Sequence, residues 1–176
     1  LGVAHTLANP QTRQLVVDIG GGSTEFVIGQ KIDPIHLESL YMGCVSSSLR
    51  HFPEQRIDKR SMKAAVLEAR QELAAVSRSY LRSGWQEAVA SSGTARSIEA
   101  LLQANGLATE GITRDGLDKL RAIVGEYLGC EPGADPAQQG VALGEGVLVA
   151  GEVLGEARRG RLQHPVERPA TSCGRS

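Results

Sequence analysis

A mixed α/β fold running β-β-β-α-β-α is the class this sequence predicts, and three patterns predict it. Residues 15–41 hold three short apolar or alternating runs separated by glycine-rich or polar breaks. Residues 61–83 repeat apolar side chains at helical spacing, and residues 87–105 return to a strand, a glycine-containing loop and a helix. A chain of 176 residues is long enough to bury one real core.

Each element has its own warrant. Leu15 to Ile19 and Glu25 to Ile28 read as consecutive antiparallel strands around a glycine turn, and Ile35 to Tyr41 is a third. In that third strand Ile35, Leu37, Ser39 and Tyr41 alternate with His36, Glu38 and Leu40. Met62, Ala65, Val66, Ala69, Leu73, Val76 and Tyr80 form one stripe of a long helix, with Asp58 or Ser61 as cap and Gly84 as stop. The opposite side of that helix is mixed in charge, so the stripe is expected to pack on the sheet. Glu87 to Ser91 is a short strand, and Thr94 to Asn105 a helix carrying Ile98, Leu101 and Leu102, closed by Gly106. Thr113 is placed to cap a last helix with Leu117, Leu120, Val124, Tyr127 and Leu128, ending near Gly129.

The chemistry concentrates between Asp18 and Glu25. Gly20, Gly21 and Gly22 are expected to turn the backbone through positive φ and bring bare N–H groups to phosphate oxygens, with Ser23 and Thr24 adding hydroxyls. Asp18 and Glu25 flank the loop. Beside a polyanion such acids repel the ligand unless a divalent cation lies between, which points to magnesium-assisted hydrolysis or transfer. A glycine-rich hairpin with solvated acids is the plain alternative. The second loop, Ser91-Ser92-Gly93-Thr94, sits where a strand meets a helix N-terminus, so Ser92, Gly93 and Thr94 suit an anion. An ordinary Ser/Thr helix cap explains the same residues.

Asp18 to Glu25 resembles the second phosphate-binding motif of the Ppx/GppA phosphatases, the exopolyphosphatase and guanosine-pentaphosphate phosphohydrolase family. Leu1-Gly2-Val3-Ala4-His5-Thr6, Tyr41-Met42-Gly43-Cys44-Val45-Ser46, Gly84-Trp85 and Ala90-Ser91-Ser92-Gly93-Thr94 resemble further landmarks in the family's order. The resemblance covers about residues 1–130 and implies a ribonuclease-H-like lobe of the actin, sugar-kinase and chaperone-ATPase superfamily. By that analogy Asp18 and Glu25 are the catalytic and metal-holding acids for Mg2+, and Gly20, Gly21, Gly22, Ser23, Ser92, Gly93 and Thr94 contact phosphate. The implied reaction is removal of a terminal phosphoryl group from inorganic polyphosphate, with guanosine pentaphosphate as the alternative substrate. Gly22 and Ser46-Ser47 look more like the polyphosphate branch. A homodimer is the expectation for the full-length form. Rival readings are an ATPase or sugar kinase of the same superfold, and a non-catalytic phosphate-binding lobe.

Composition narrows the rest. A net charge of −1 gives no support to bulk electrostatic nucleic-acid binding. No apolar run reaches membrane-spanning length, and a cytoplasmic location is expected. Cys44, Cys130 and Cys173 lack paired spacing and read as free thiols, with Cys44 expected to be buried. The histidines show no metal-ligand spacing, and Ser46 to Ser48 have no partnered His to make a nucleophile.

Both ends depart from the family pattern. The chain opens on Leu1 inside a landmark, so an N-terminal portion with the first phosphate loop and the general base is expected to lie upstream. The chain alone is therefore expected to be inactive. Residues 131–176 contain no aromatic residue and four of the seven prolines, and do not match the family. They read either as an out-of-frame stretch or as a disordered natural tail, with Val141 to Leu154 still able to form a helix.

Overall fold

The computed structural model describes residues 12–31, 33–53, 58–127 and 162–163. Most of the expected 131–176 tail lies outside the described residues. The elements are β1 (Arg13–Ile19), β2 (Thr24–Gln30), β3 (Asp33–Leu40), α1 (Cys44–His51), α2 (Lys59–Ser83), β4 (Glu87–Ser91), α3 (Gly93–Ala104), α4 (Arg114–Tyr127) and the two-residue β5 (Leu162–Gln163). They form one sheet of order β3-β2-β1-β4-β5. The first three strands are antiparallel, as the alternation predicts, while β4 runs parallel to β1 and β5 parallel to β4.

Register divides the sheet into two unlike faces. Leu15 pairs with Ile28 and Ala88, and Val17 with Phe26 and Ala90, so these side chains share the face that buries the core. Onto it pack Ala69, Leu73, Val76 and Tyr80 of α2 and Ala95, Ile98 and Leu102 of α3. The Tyr80 hydroxyl donates to the Phe26 carbonyl at 2.7 Å, and burial together with the Glu38 charge pushes its pKa up to about 12. The other face carries Val16, Val27 and Leu37 in one cross-strand row, then Asp18, Glu25 and Ser39 in the next.

Caps fall where the residue types put them. Asp58 accepts from the amides of Arg60 and Ser61, while the Ser61 hydroxyl accepts from the Asp58 amide, a reciprocal capping box. Gly84 ends α2 at φ +65°, a conformation that costs glycine little. Thr113 accepts from the Gly116 amide at the start of α4. Helix α1 is the element the sequence reading lacks. It buries no side chain of its own, and exposes Val45 and Leu49, so apolar periodicity carries no trace of it.

Candidate functional site

The C-terminal ends of β1 and β4 lie side by side, and the two candidate loops leave from them. Open α/β sheets bind ligands at such strand ends. Asp18 pairs directly with Glu25 across the hairpin and with Ser91 on the parallel side, so three polar side chains sit in one row beside both loops. Burial first, then the Glu25 charge, raises the Asp18 pKa; a hydrogen bond with Ser91 opposes them. Glu25 is pinned through one oxygen. Ser23 Oγ donates to its Oε1 at 2.6 Å and Ser39 Oγ to the same atom at 3.0 Å, leaving Oε2 without a hydrogen-bond partner among the described residues.

Helix α1 shapes the glycine loop. The Cys44 amide donates to the Gly20 carbonyl at 3.0 Å, and the amides of Val45 and Ser46 both donate to the Gly21 carbonyl, at 2.9 and 3.0 Å. Ser46 Oγ reaches the Gly22 carbonyl at 3.3 Å. Three successive loop carbonyls are thus turned toward one helix N-terminus. A trans peptide points its N–H opposite to its C=O, and the described residues hold no cis peptide bond. The amides of Gly21, Gly22 and Ser23 therefore point away from α1 as a row of donors, and none of them donates a backbone hydrogen bond within the described residues. A row of this kind would suit an anion.

Close packing, at Gly20 and above all at Gly43, is where this region requires glycine. None of Gly20, Gly21 and Gly22 has positive φ, which corrects the sequence reading. At Gly20 an added Cβ would lie 3.0 Å from the Ser23 carbonyl oxygen, whereas at Gly22 it would meet nothing within 4 Å. The tight position is Gly43, where a Cβ would stand 2.5 Å from the carbonyl carbon and oxygen of Gly21 and 2.6 Å from that of Gly22. A bare Cα there lets α1 close onto the loop.

The second loop carries strain. Ser92 adopts φ 129°, ψ 167°, a region that L side chains rarely occupy, and its Oγ accepts from the Ala95 amide at 3.2 Å as the cap of α3. Its hydroxyl proton is not spent on that bond. Thr94 Oγ1 donates instead to Cys44 Sγ at 3.6 Å, which ties the second loop to the start of α1. Cys44 is half-buried rather than buried, because it occupies the first turn of α1 at the loop surface. Gly93 leaves open space about its Cα. The structure therefore brings Asp18, Glu25, Ser23, Ser92 and the glycines to one edge, but the hydroxyls of Ser23 and Thr94 are already donated within the protein.

Residues 1–127 match the Ppx/GppA phosphatase family. The chain belongs to that family. Its relatives include a guanosine-5'-triphosphate,3'-diphosphate pyrophosphatase of Pseudoalteromonas atlantica, 42% identical over 121 residues, covering 69% of this chain and 24% of that protein. A Vibrio cholerae protein of the same name is 38% identical over 129 residues, covering 72% of this chain and 26% of the relative. This phosphatase-family chain thus spans about a quarter of those relatives' length. Among solved structures, an Aquifex aeolicus Ppx/GppA family member superposes with TM-score 0.71 at 21% identity, over 93% of this chain and 55% of that one. An exopolyphosphatase from Cytophaga hutchinsonii superposes with TM-score 0.62 at 17% identity, over 89% and 52%. These likenesses establish the actin-like, ribonuclease-H-type fold that the β-β-β-α-β-α order implies. No helix among the described residues is long and apolar enough to cross a membrane.

The donor set fits a hard divalent cation that keeps much of its water. Two opposed carboxylates, one with its charge already opposed by burial and by its neighbour, gain from a cation between them. Among the described residues no three acidic, His or Cys side chains converge, so Asp18 and Glu25 would hold such an ion only together with water and phosphate oxygens.

Proposed function

We propose that this chain forms one phosphate-gripping wall of a magnesium-dependent phosphoanhydride hydrolase acting on guanosine-5'-triphosphate,3'-diphosphate. One observation carries the reaction class: an outward row of three loop amides lies beside two directly opposed carboxylates at the strand ends. The names of the most similar curated relatives favour the guanosine substrate. The triple glycine supports polyphosphate as a second reading, because Gly22 leaves the loop tip open to a chain of phosphates.

In the reaction a water oxygen bonds to the terminal phosphorus, the bridging P–O bond breaks with its electron pair passing to the oxygen of the departing guanosine diphosphate-diphosphate, and the water gives up a proton to solvent or to that oxygen as the phosphoryl group becomes orthophosphate. The amides of Gly21, Gly22 and Ser23 hold non-bridging oxygens and stabilise their charge as it redistributes. Ser92 donates its hydroxyl to a neighbouring phosphate. Asp18 would hold the cation or its water shell, and Glu25 would orient water through Oε2 while Ser23 and Ser39 fix Oε1. Magnesium supplies neutralisation of phosphate charge when bound.

Equilibrium binding by the 176-residue chain tests this reading. Guanosine pentaphosphate, inorganic polyphosphate and ATP are titrated with magnesium and with EDTA, for the wild type and for Asp18→Asn. Magnesium-dependent binding of the guanosine compound in preference to ATP is expected, weakened about tenfold or more in the variant. Binding that ignores both EDTA and the substitution would refute the site, and preference for polyphosphate would select the second reading.

A further inference from the structure

We infer that Ser46 is a positioning residue for the phosphate loop, acting through the Gly22 carbonyl to keep the Ser23 amide aimed at the ligand; this rests on the phosphate-binding reading above. The carbonyls of Gly20 and Gly21 are held by main-chain amides of α1, which no side-chain substitution removes. The third carbonyl is different, since its contact with α1 comes from the hydroxyl of Ser46 at 3.3 Å. That hydroxyl accepts from the Gly43 amide at 3.1 Å, and its one proton is shared between Gly22 O and the competing Gly43 O, 3.1 Å away.

Of the three loop peptides, Gly22–Ser23 is the one whose carbonyl no α1 amide holds. Gly22 carries no side chain, and nothing lies within 4 Å of the position a Cβ would take. A flip of this peptide exchanges its two poles. The Ser23 N–H would swing toward α1, and the Gly22 carbonyl lone pairs would face the phosphoryl oxygens, turning an attractive contact into a repulsive one. The hydroxyl of Ser46 therefore selects the ligand-competent state without touching the ligand, and its loss lowers affinity by the fraction of molecules left in that state.

The test uses the whole 15N-labelled chain titrated with magnesium and inorganic triphosphate, following the amide resonances of Gly21, Gly22 and Ser23. In the wild type all three shift together. In Ser46→Ala the affinity falls about tenfold, the Ser23 response is lost while Gly21 and Gly22 still respond, and the thermal midpoint stays close to that of the wild type. Ser46→Thr keeps a hydroxyl and restores the Ser23 response. Should Ser46→Ala not fold, Ser46→Cys, similar in size but a weaker donor, carries the same comparison. Wild-type affinity with a wild-type Ser23 response in the hydroxyl-free variant would overturn the inference while leaving the loop as the phosphate site. Silence of all three amides in the wild type would overturn the phosphate-binding reading itself, and the inference with it.

Discussion

Gly43→Ala is the substitution whose cost the structure states most directly. The new methyl carbon would lie 2.5 Å from the Gly21 carbonyl group and 2.6 Å from the Gly22 carbonyl carbon. That is roughly 1 Å short of ordinary van der Waals contact. The atoms met are backbone, so no side chain can swing aside; either the loop or the start of α1 must shift. Overpacking of this kind costs about 1–3 kcal/mol, which in a chain of this size lowers the thermal midpoint by roughly 2–12 °C. A shift of the loop also breaks the amide contacts to Gly20 and Gly21, so affinity for magnesium triphosphate should fall along with stability. Gly22→Ala is the control: its methyl meets nothing, its φ is not positive, and it should melt with the wild type. Circular dichroism melts of the three proteins decide the matter. A Gly43→Ala midpoint within about 1 °C of the wild type would show that α1 does not close on the loop as described.

Three further outcomes follow from named contacts. Because the folded-state pKa of Asp18 is raised, ionising it opposes folding: that penalty is fully present above the folded pKa and fades as pH falls toward the unfolded value of 3.8. Asp18→Asn should therefore be more stable than the wild type at neutral pH in EDTA, with the two denaturation curves converging in acid; an advantage that persists at low pH would contradict this. At Ser92, glycine and alanine should act in opposite directions. Ser92→Gly relieves a conformation costing about 1–3 kcal/mol and gives up little as a cap, whereas Ser92→Ala keeps the strain and loses about 1 kcal/mol of capping, so urea midpoints that move the same way would be inconsistent with the φ of 129°. Tyr80→Phe removes the buried hydrogen bond to the Phe26 carbonyl and should cost about 0.5–1.5 kcal/mol in urea denaturation, and an unchanged midpoint would argue against that hydrogen bond.

Much of this was legible from residue order, and the exceptions share a cause. Strand alternation locates β1 and β2 because one face of each buries aliphatic side chains, β4 shows instead as a short apolar run buried on both faces, and α2 shows through Ala65, Ala69, Leu73, Val76 and Tyr80. The carboxylate pair was readable too, since Asp18 and Glu25 flank a short hairpin symmetrically. What escaped was whatever depends on backbone alone. Helix α1 contributes amides instead of apolar side chains, so no periodic pattern marks it, and the close approach at Gly43 is made by carbonyls that carry no sequence signature. The loop glycines invite a positive-φ reading, yet they serve proximity and open space. Likewise nothing in Ser92-Gly93 says that the serine, rather than its glycine neighbour, takes the strained conformation.

Strand β1 belongs to two different ladders at once, antiparallel with β2 and parallel with β4, and Asp18 is a rung of both. A slip of a single residue along either ladder would exchange the two faces of the strand. Leu15, Val17 and Ile19 would then point to the polar side, each giving up about 1.5–3 kcal/mol of burial, and Asp18 would enter the core. The aliphatic residues on the buried face thus act as a tuning key for the acid on the other. Mutations that loosen the core around β1 therefore reach the placement of Asp18 from the side of the sheet opposite to that carboxylate.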